Sequence, residues 1–293
     1  MQAIHLQRAL KLYAVLTLMA AGCTLPSYGT VVLKPKPIGA VRSAPASPVT
    51  APHGTIWLIF VDDLHVDFRS TGRLRGLLKT ISSELIHVGD MFGIGSSGPS
   101  SLSIDVTSDR KLLEVAIAKT YGNALTLSDT LRLTNGAVYS NEVRVRATLA
   151  LSAAYEMMMS LEQVHNRRKA FIYIGNGYTF DLSPDGSATT SGTSPFLGQS
   201  SDFAVARLRD HLLELTRRAR HSLVTIFAID PRGLAGAPTM DPSVDSVAWR
   251  NYWTNTRNSL RMMSEPTGGF ALVDVDEQDL VEALQRISSA MRN

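Results

Sequence analysis

Between Thr55 and Asp67 the chain places two adjacent carboxylates, Asp62 and Asp63, beside His65 and Asp67. Carboxylates this close could ligate a hard divalent cation such as Mg²⁺ or Mn²⁺ through oxygen. With His65 added, a softer transition metal becomes conceivable, as does hydrolysis with a carboxylate and an imidazole as acid and base. The plainer role is a solvated loop whose Asp residues cap the next helix. Two more polar residues follow apolar runs in the same way, Asn176 after AFIYIG and Asp230 after SLVTIFAI.

The apolar runs say where these groups must sit. Ile56 to Val61 is unbroken and rich in β-branched and aromatic residues, the pattern of a strand covered on both faces. Met91 to Ser97, Ala170 to Ile174, Leu223 to Ile229 and Phe270 to Val275 are further candidate strands. Between them, apolar residues recur at helical spacing through Leu74–Ile86, Arg110–Lys119, Glu142–Gln163, Ser201–Arg220, Val247–Met263 and Glu277–Met291. Ser70 or Thr71, Asp109 and Asp276 are placed to cap three of these helices. This alternation predicts the α/β class: a doubly wound, mostly parallel sheet with helices on both faces. Leu102 to Val106 alternates and would be its one antiparallel edge strand. Ligands of such sheets bind outside the carboxyl ends of the strands. Asp62, Asp63, His65, Asp67, Asn176 and Asp230 are therefore the expected ligand-binding residues, gathered on one edge.

Other motifs exclude more than they offer. Gly93-x-Gly95-x-x-Gly98 has the spacing of a dinucleotide fingerprint, but Pro99 and a second strand follow it, so no helix N-terminus meets a phosphate. There is no G-x-S-x-G elbow and no H-E-x-x-H zinc motif. His87, His165, His211 and His221 fall on or beside predicted helices, where surface or packing roles are the rule. The run Met157 to Met159 reads as core filler. Val61-Asp62-Asp63 has the acidic pair of a phospho-receiver, but no lysine ends the late strand Ala228-Ile229-Asp230. The net charge is +3, with Arg and Lys spread over several helices, so nucleic acid is not an expected partner. The stretches 121–141 and 178–200 read as long loops.

The first residues have a different character. Arg8 and Lys11 precede the apolar run Leu12–Ala21, which is short for a bilayer span and has the form of a secretory signal. Ala20-Ala21-Gly22-Cys23 resembles a bacterial lipoprotein cleavage site, with Ala20 where Leu is usual. Cys23, the chain's single cysteine, is thus the expected lipidation site. The expected division is a signal peptide over 1–22, a Pro/Ala/Ser-rich tether over 23–54 and one domain over 55–293. Five prolines between Pro35 and Pro52 make the second segment an extended tether. The expected place is the cell envelope, on a membrane through this N-terminal anchor.

Several of these features together resemble the von Willebrand factor A-type (VWFA) domains, and more narrowly the VWFA-related domains of acidobacterial secreted proteins. They are the strand ending in Asp62, the edge strand running into Thr107-Ser108-Asp109, FIYIGNG, Ile229-Asp230-Pro231-Arg232-Gly233-Leu234, and Glu265-Pro266-Thr267-Gly268-Gly269. The resemblance covers roughly Thr55 to Met291. It implies a Rossmann-like VWA fold and a metal-ion-dependent adhesion site built from Asp-x-Ser-x-Ser, a threonine and a second aspartate. Here neither Asp62 nor Asp63 is followed by the serines. Asn176 stands where the second aspartate belongs, and Thr126 or Thr134 is the candidate threonine. What the resemblance implies is a degenerate site with Asp62, Asp63 and Asn176 as metal ligands. The expected function is a non-enzymatic module for a protein partner. The alternative is a metal-assisted hydrolase using Asp62, Asp63 and His65.

Overall fold

The structure is a computed structural model and describes residues 54–126, 129–130, 139–162, 164–179, 195–232 and 245–292. A six-stranded sheet is built from β1 (Ile56–Val61), β2 (Met91–Ser96), β3 (Ser103–Thr107), β4 (Lys169–Ile174), β5 (Val224–Ile229) and β6 (Ala271–Leu272). Its order is β3-β2-β1-β4-β5-β6. All neighbours pair in parallel except β2 and β3, which form an antiparallel hairpin. The sheet is the doubly wound, mostly parallel one expected from the sequence, with its single antiparallel strand at the edge. The hairpin also disposes of the Gly93–Gly98 fingerprint, since no helix opens after β2.

The helices are α1 (Thr71–Glu84), α2 (Arg110–Lys119), α3 (Tyr139–Met159), α4 (Pro195–His221), α5 (Ser246–Ser264) and α6 (Glu277–Arg292). They cover both faces. Trp57, Ile59 and Val61 pack with Leu74, Leu77 and Leu78 of α1, Leu113 of α2, and Leu284 and Ile287 of α6. Ile56, Leu58 and Phe60 point the other way, onto Ala150 and Met158 of α3, Leu212 and Leu215 of α4, and Leu260 of α5. Every β1 residue is buried, which is why the run carries no polar alternation. Met157 and Met158 are buried core residues, as expected.

Several boundaries differ from the sequence expectation. Helix α3 ends at Met159 rather than Gln163; its last turn passes into Leu161 and Val164, whose carbonyls accept from the Lys169 Nζ at 3.3 and 3.0 Å. Helix α4 starts at Pro195, inside the stretch expected to be loop. The last strand shrinks to Ala271–Leu272, because Asp274 takes a positive φ of 62° that ends the extended run. At α1, Ser70 occupies the cap position without a side-chain bond. Thr71 Oγ1 accepts instead from the Gly122 N–H at 3.1 Å. Asp109 does cap α2, accepting from the Lys111 N–H at 3.0 Å.

At the amino end of the sheet, buried Asp90 closes the structure. It accepts from the Thr55 N–H at 2.8 Å, Trp57 Nε1 at 3.2 Å, the His87 N–H at 2.9 Å and Arg292 Nη2 at 3.1 Å. One carboxylate thereby ties the start of β1, the turn before β2 and the end of α6.

Candidate functional site

In the register of the parallel strands, Val61, Ser96, Ile174 and Ile229 form one row. The residues that follow them share the carboxyl edge, as the topology required. Asp62 and Asp63 are buried there with relative exposures of 0%. Burial of two adjacent acids is costly unless donors face them, and the surrounding loops supply those donors.

Asp62 is met by three side chains. Ser97 Oγ, on the turn after β2, donates to Oδ1 at 2.8 Å. His65 Nδ1 lies 2.9 Å from the same oxygen. The Tyr173 hydroxyl, near the end of β4, donates to Oδ2. Tyr173 is itself 2.9 Å from the Tyr178 hydroxyl, and the Tyr178 ring stands edge-on to His65 with centroids 5.1 Å apart. Burial first, and the charge of Asp62 second, push both phenols well above their usual range. They act as neutral donors.

Asp63 faces the β2–β3 turn. It accepts from Ser97 Oγ at 3.0 Å and from the Ser100 N–H at 2.7 Å. The turn comes this close because Gly98 has no side chain: a Cβ there would fall 2.8 Å from Leu64 and 3.1 Å from Asp63 Oδ1. Burial raises the Asp63 carboxyl above its ordinary value; the bonds from Ser100 and Ser97 pull it back, and the neighbouring Asp62 adds to the rise. The Ser97 hydroxyl has one proton and two carboxylate neighbours.

Asp230 and Asn176 belong to a second cluster. Asp230 is held bidentately by Arg232, with Nε at 2.9 Å and Nη2 at 2.7 Å. The same guanidinium donates to the Asn176 carbonyl at 2.8 Å, Tyr252 Oη at 2.9 Å and Thr256 Oγ1 at 3.1 Å, and lies 4.1 Å from the centroid of Trp253. Burial alone would lower the arginine, but Asp230 and Tyr252 hold it above its ordinary range. Gly177, with φ +75°, brings this loop onto α5, where a Cβ would fall 2.1 Å from the Thr256 carbonyl oxygen. Asn176 is 6% exposed and its Oδ1 meets no hydrogen-bond partner.

Of the six expected ligand-binding residues, Asp62, Asp63 and His65 come together. Asp230 is consumed by Arg232, which also takes the Asn176 carbonyl. Asp67 is half-buried and accepts from the Arg69 N–H at 2.8 Å, capping the turn Phe68–Ser70. Thr126 Oγ1 donates to Asp129 Oδ2 at 2.7 Å, and Thr134 lies outside the described residues. Ser97, Ser100, Tyr173, Tyr178 and Arg232 were missing from the expected set. The serines had a signal: they follow a strand parallel to β1, so they must share its edge.

This donor set does not suit a divalent cation. Mg²⁺ needs free oxygens, whereas both Asp62 oxygens already face protons, and Asn176 offers a neutral amide. Among the described residues, no group of three or more His, Cys, Asp or Glu is placed to hold a metal ion.

No protein-family model matches the chain, and no curated protein matches it. Solved structures do resemble it. The SpRpn10 VWA domain is 11% identical, with 82% of this chain and 97% of that one covered and a TM-score of 0.33. The vWF domain of the type V pili tip protein Mfa5 from Porphyromonas gingivalis is 12% identical, with 82% and 95% covered and a TM-score of 0.41. The PilB minor pilin from Streptococcus sanguinis is 11% identical, with 83% of this chain but only 62% of that one covered, and a TM-score of 0.40. At such identities and scores no functional assignment passes from these proteins to this chain.

Proposed function

We propose that the chain is an exported, lipid-anchored interaction module of VWFA type, non-enzymatic and carried in the cell envelope. We propose further that it meets a protein partner at the carboxyl edge of its sheet without a bridging cation. The observation behind this is the closure of Asp62 by Ser97, His65 and Tyr173. An adhesion site that recruits a partner's carboxylate through a metal needs that first aspartate open, and here the chain's own protons occupy it. Recognition then rests on direct contacts. Phe68, 68% exposed on the turn after Asp67, is a large apolar anchor at that edge.

The same closure weighs against the metal-assisted hydrolase alternative: with protons facing both Asp62 oxygens, Asp62 offers no open oxygen to a cation that would activate water beside His65.

Photo-cross-linking from within the cell tests the proposal. A photoreactive residue replacing Phe68 should give a discrete protein adduct that survives chelation of divalent cations. The same residue replacing Val281 on α6 should not. No adduct from Phe68, or an adduct abolished by chelator, would overturn it.

A further inference from the structure

The opposite edge of the sheet has a chemistry of its own. Ile56, Met91, Lys169 and Val224 form one row, so the turns before β2, β4 and β5 lie together with the start of β1. Large apolar side chains stand on two of these turns. Val88 is fully exposed, and Leu223 is 81% exposed. Leu223 also has φ +52°, the left-handed conformation that closes a helix with least strain when glycine holds it. A leucine there accepts backbone strain and leaves its side chain in water, and the core gains nothing from either.

The charges around these tips are mostly positive. The segments 85–90, 160–168 and 220–223 contain Arg167, Arg168 and Arg220 with three histidines, and two carboxylates, Asp90 and Glu162. Arg168 and Arg220 are exposed. Arg167 joins two turns by donating to the Gly89 carbonyl at 3.4 Å. Nearby acids are engaged: Asp90 with Arg292, Glu162 with Arg218, and Glu214 with Arg217 and Arg218. Glu84 is half-buried, and the exposed Asp109 and Glu265 stand at the two flanks, after β3 and before β6. The other edge of the sheet, by contrast, carries Asp62, Asp63, Asp67 and Asp230, the last of these paired with Arg232.

The chain also joins the domain at this edge. Gly54 abuts the turn that carries Val88, where a Cβ would fall 2.2 Å from the Gly89 carbonyl oxygen. We propose that this edge is a lipid-facing surface, with Val88 and Leu223 entering the headgroup layer of an anionic bilayer and Arg168 and Arg220 facing its phosphates. Exposed apolar tips among cations are the combination that such a surface binds. The inference rests on the lipid-anchor proposal for its strength, since an anchored chain meets the membrane at a raised effective concentration. Docked this way, the acidic edge faces away from the lipid, toward a partner.

The test uses the full chain in two forms, the mature lipidated protein and the Cys23→Ser variant. Each carries an environment-sensitive fluorophore on Val88→Cys, Leu223→Cys or, as control, Phe68→Cys. Vesicles contain either phosphatidylcholine alone or about 30% phosphatidylglycerol. On anionic vesicles the probes at 88 and 223 should shift to the blue and the probe at 68 should not. Arg168→Glu with Arg220→Glu should lower vesicle partitioning of the Cys23→Ser chain about tenfold or more. A vesicle-bound lipidated chain with no shift at 88 and 223, or an equal shift at 68, overturns the lipid surface and leaves the anchor standing. A mature chain without lipid overturns the anchor, and the Cys23→Ser titration then decides the surface alone.

Discussion

The Tyr173 hydroxyl, on β4, donates to the Asp62 carboxylate at the end of β1, and both side chains are wholly buried. Removing that donor leaves a carboxylate oxygen without its proton and the Tyr178 hydroxyl without its neighbour. Tyr173→Phe should cost about 1–3 kcal/mol, the usual penalty for a buried group left unsatisfied. Chemical denaturation should show a lower midpoint with an unchanged slope.

Ser97 separates the two acids. Ser97→Ala removes the hydroxyl that bridges Asp62 and Asp63 and should destabilise the fold by about 1–3 kcal/mol. Adding Asp63→Asn should restore part of that loss, because the amide removes the repulsion between facing carboxylates. The pair of variants, measured as a double-mutant cycle, should be non-additive.

Asp63 should also leave a mark on the pH dependence. Its carboxyl is raised in the native state by burial, so the native state holds the proton more tightly than the unfolded chain. The corresponding stability is complete below the ordinary value of 3.8 and is lost as pH rises through the native value. Asp63→Asn should flatten this part of the stability profile. An unchanged profile would mean that Asp63 ionises as freely in the folded protein as in the unfolded one.

Much of the architecture was legible because its signals are local. The run Ile56–Val61 declares a strand covered on both faces, and Asp109 sits where a helix cap must. The last strand was overestimated because FALVDV looks extended locally, whereas the turn at Asp274 is a backbone event that composition does not show. Asp62 and Asp63 were legible as an edge pair, but their partners were not. Tyr173 reads as one more apolar residue of β4, and only the pairing of Val61 with Ile174 brings its hydroxyl to the carboxylate. Arg232 stood in view within Asp-Pro-Arg-Gly, yet its capture of Asp230 and the Asn176 carbonyl depends on α5, many residues later in the chain.

Asp90 tests the other end of the fold. Asp90→Ala would strand the Trp57 indole N–H, the backbone N–H groups of Thr55 and His87, and Arg292. The expected loss is about 3–5 kcal/mol, because several N–H donors lose their acceptor at about 1–3 kcal/mol for each buried one. Arg292→Ala should cost about 1 kcal/mol, since that arginine is partly exposed. Thermal unfolding of both variants would give this ranking, and equal losses would refute it.

The central claim is that protons, rather than a cation, close Asp62. Calorimetric titration of Mg²⁺ and Mn²⁺ tests it in the wild-type chain and in the Tyr173→Phe/Asn176→Asp double variant, which frees one carboxylate oxygen and restores a second charge. The wild type should show no saturable binding up to millimolar metal, and its melting temperature should not move. The double variant should gain measurable affinity. Saturable binding by the wild type, as tight as that of the variant, would contradict the account.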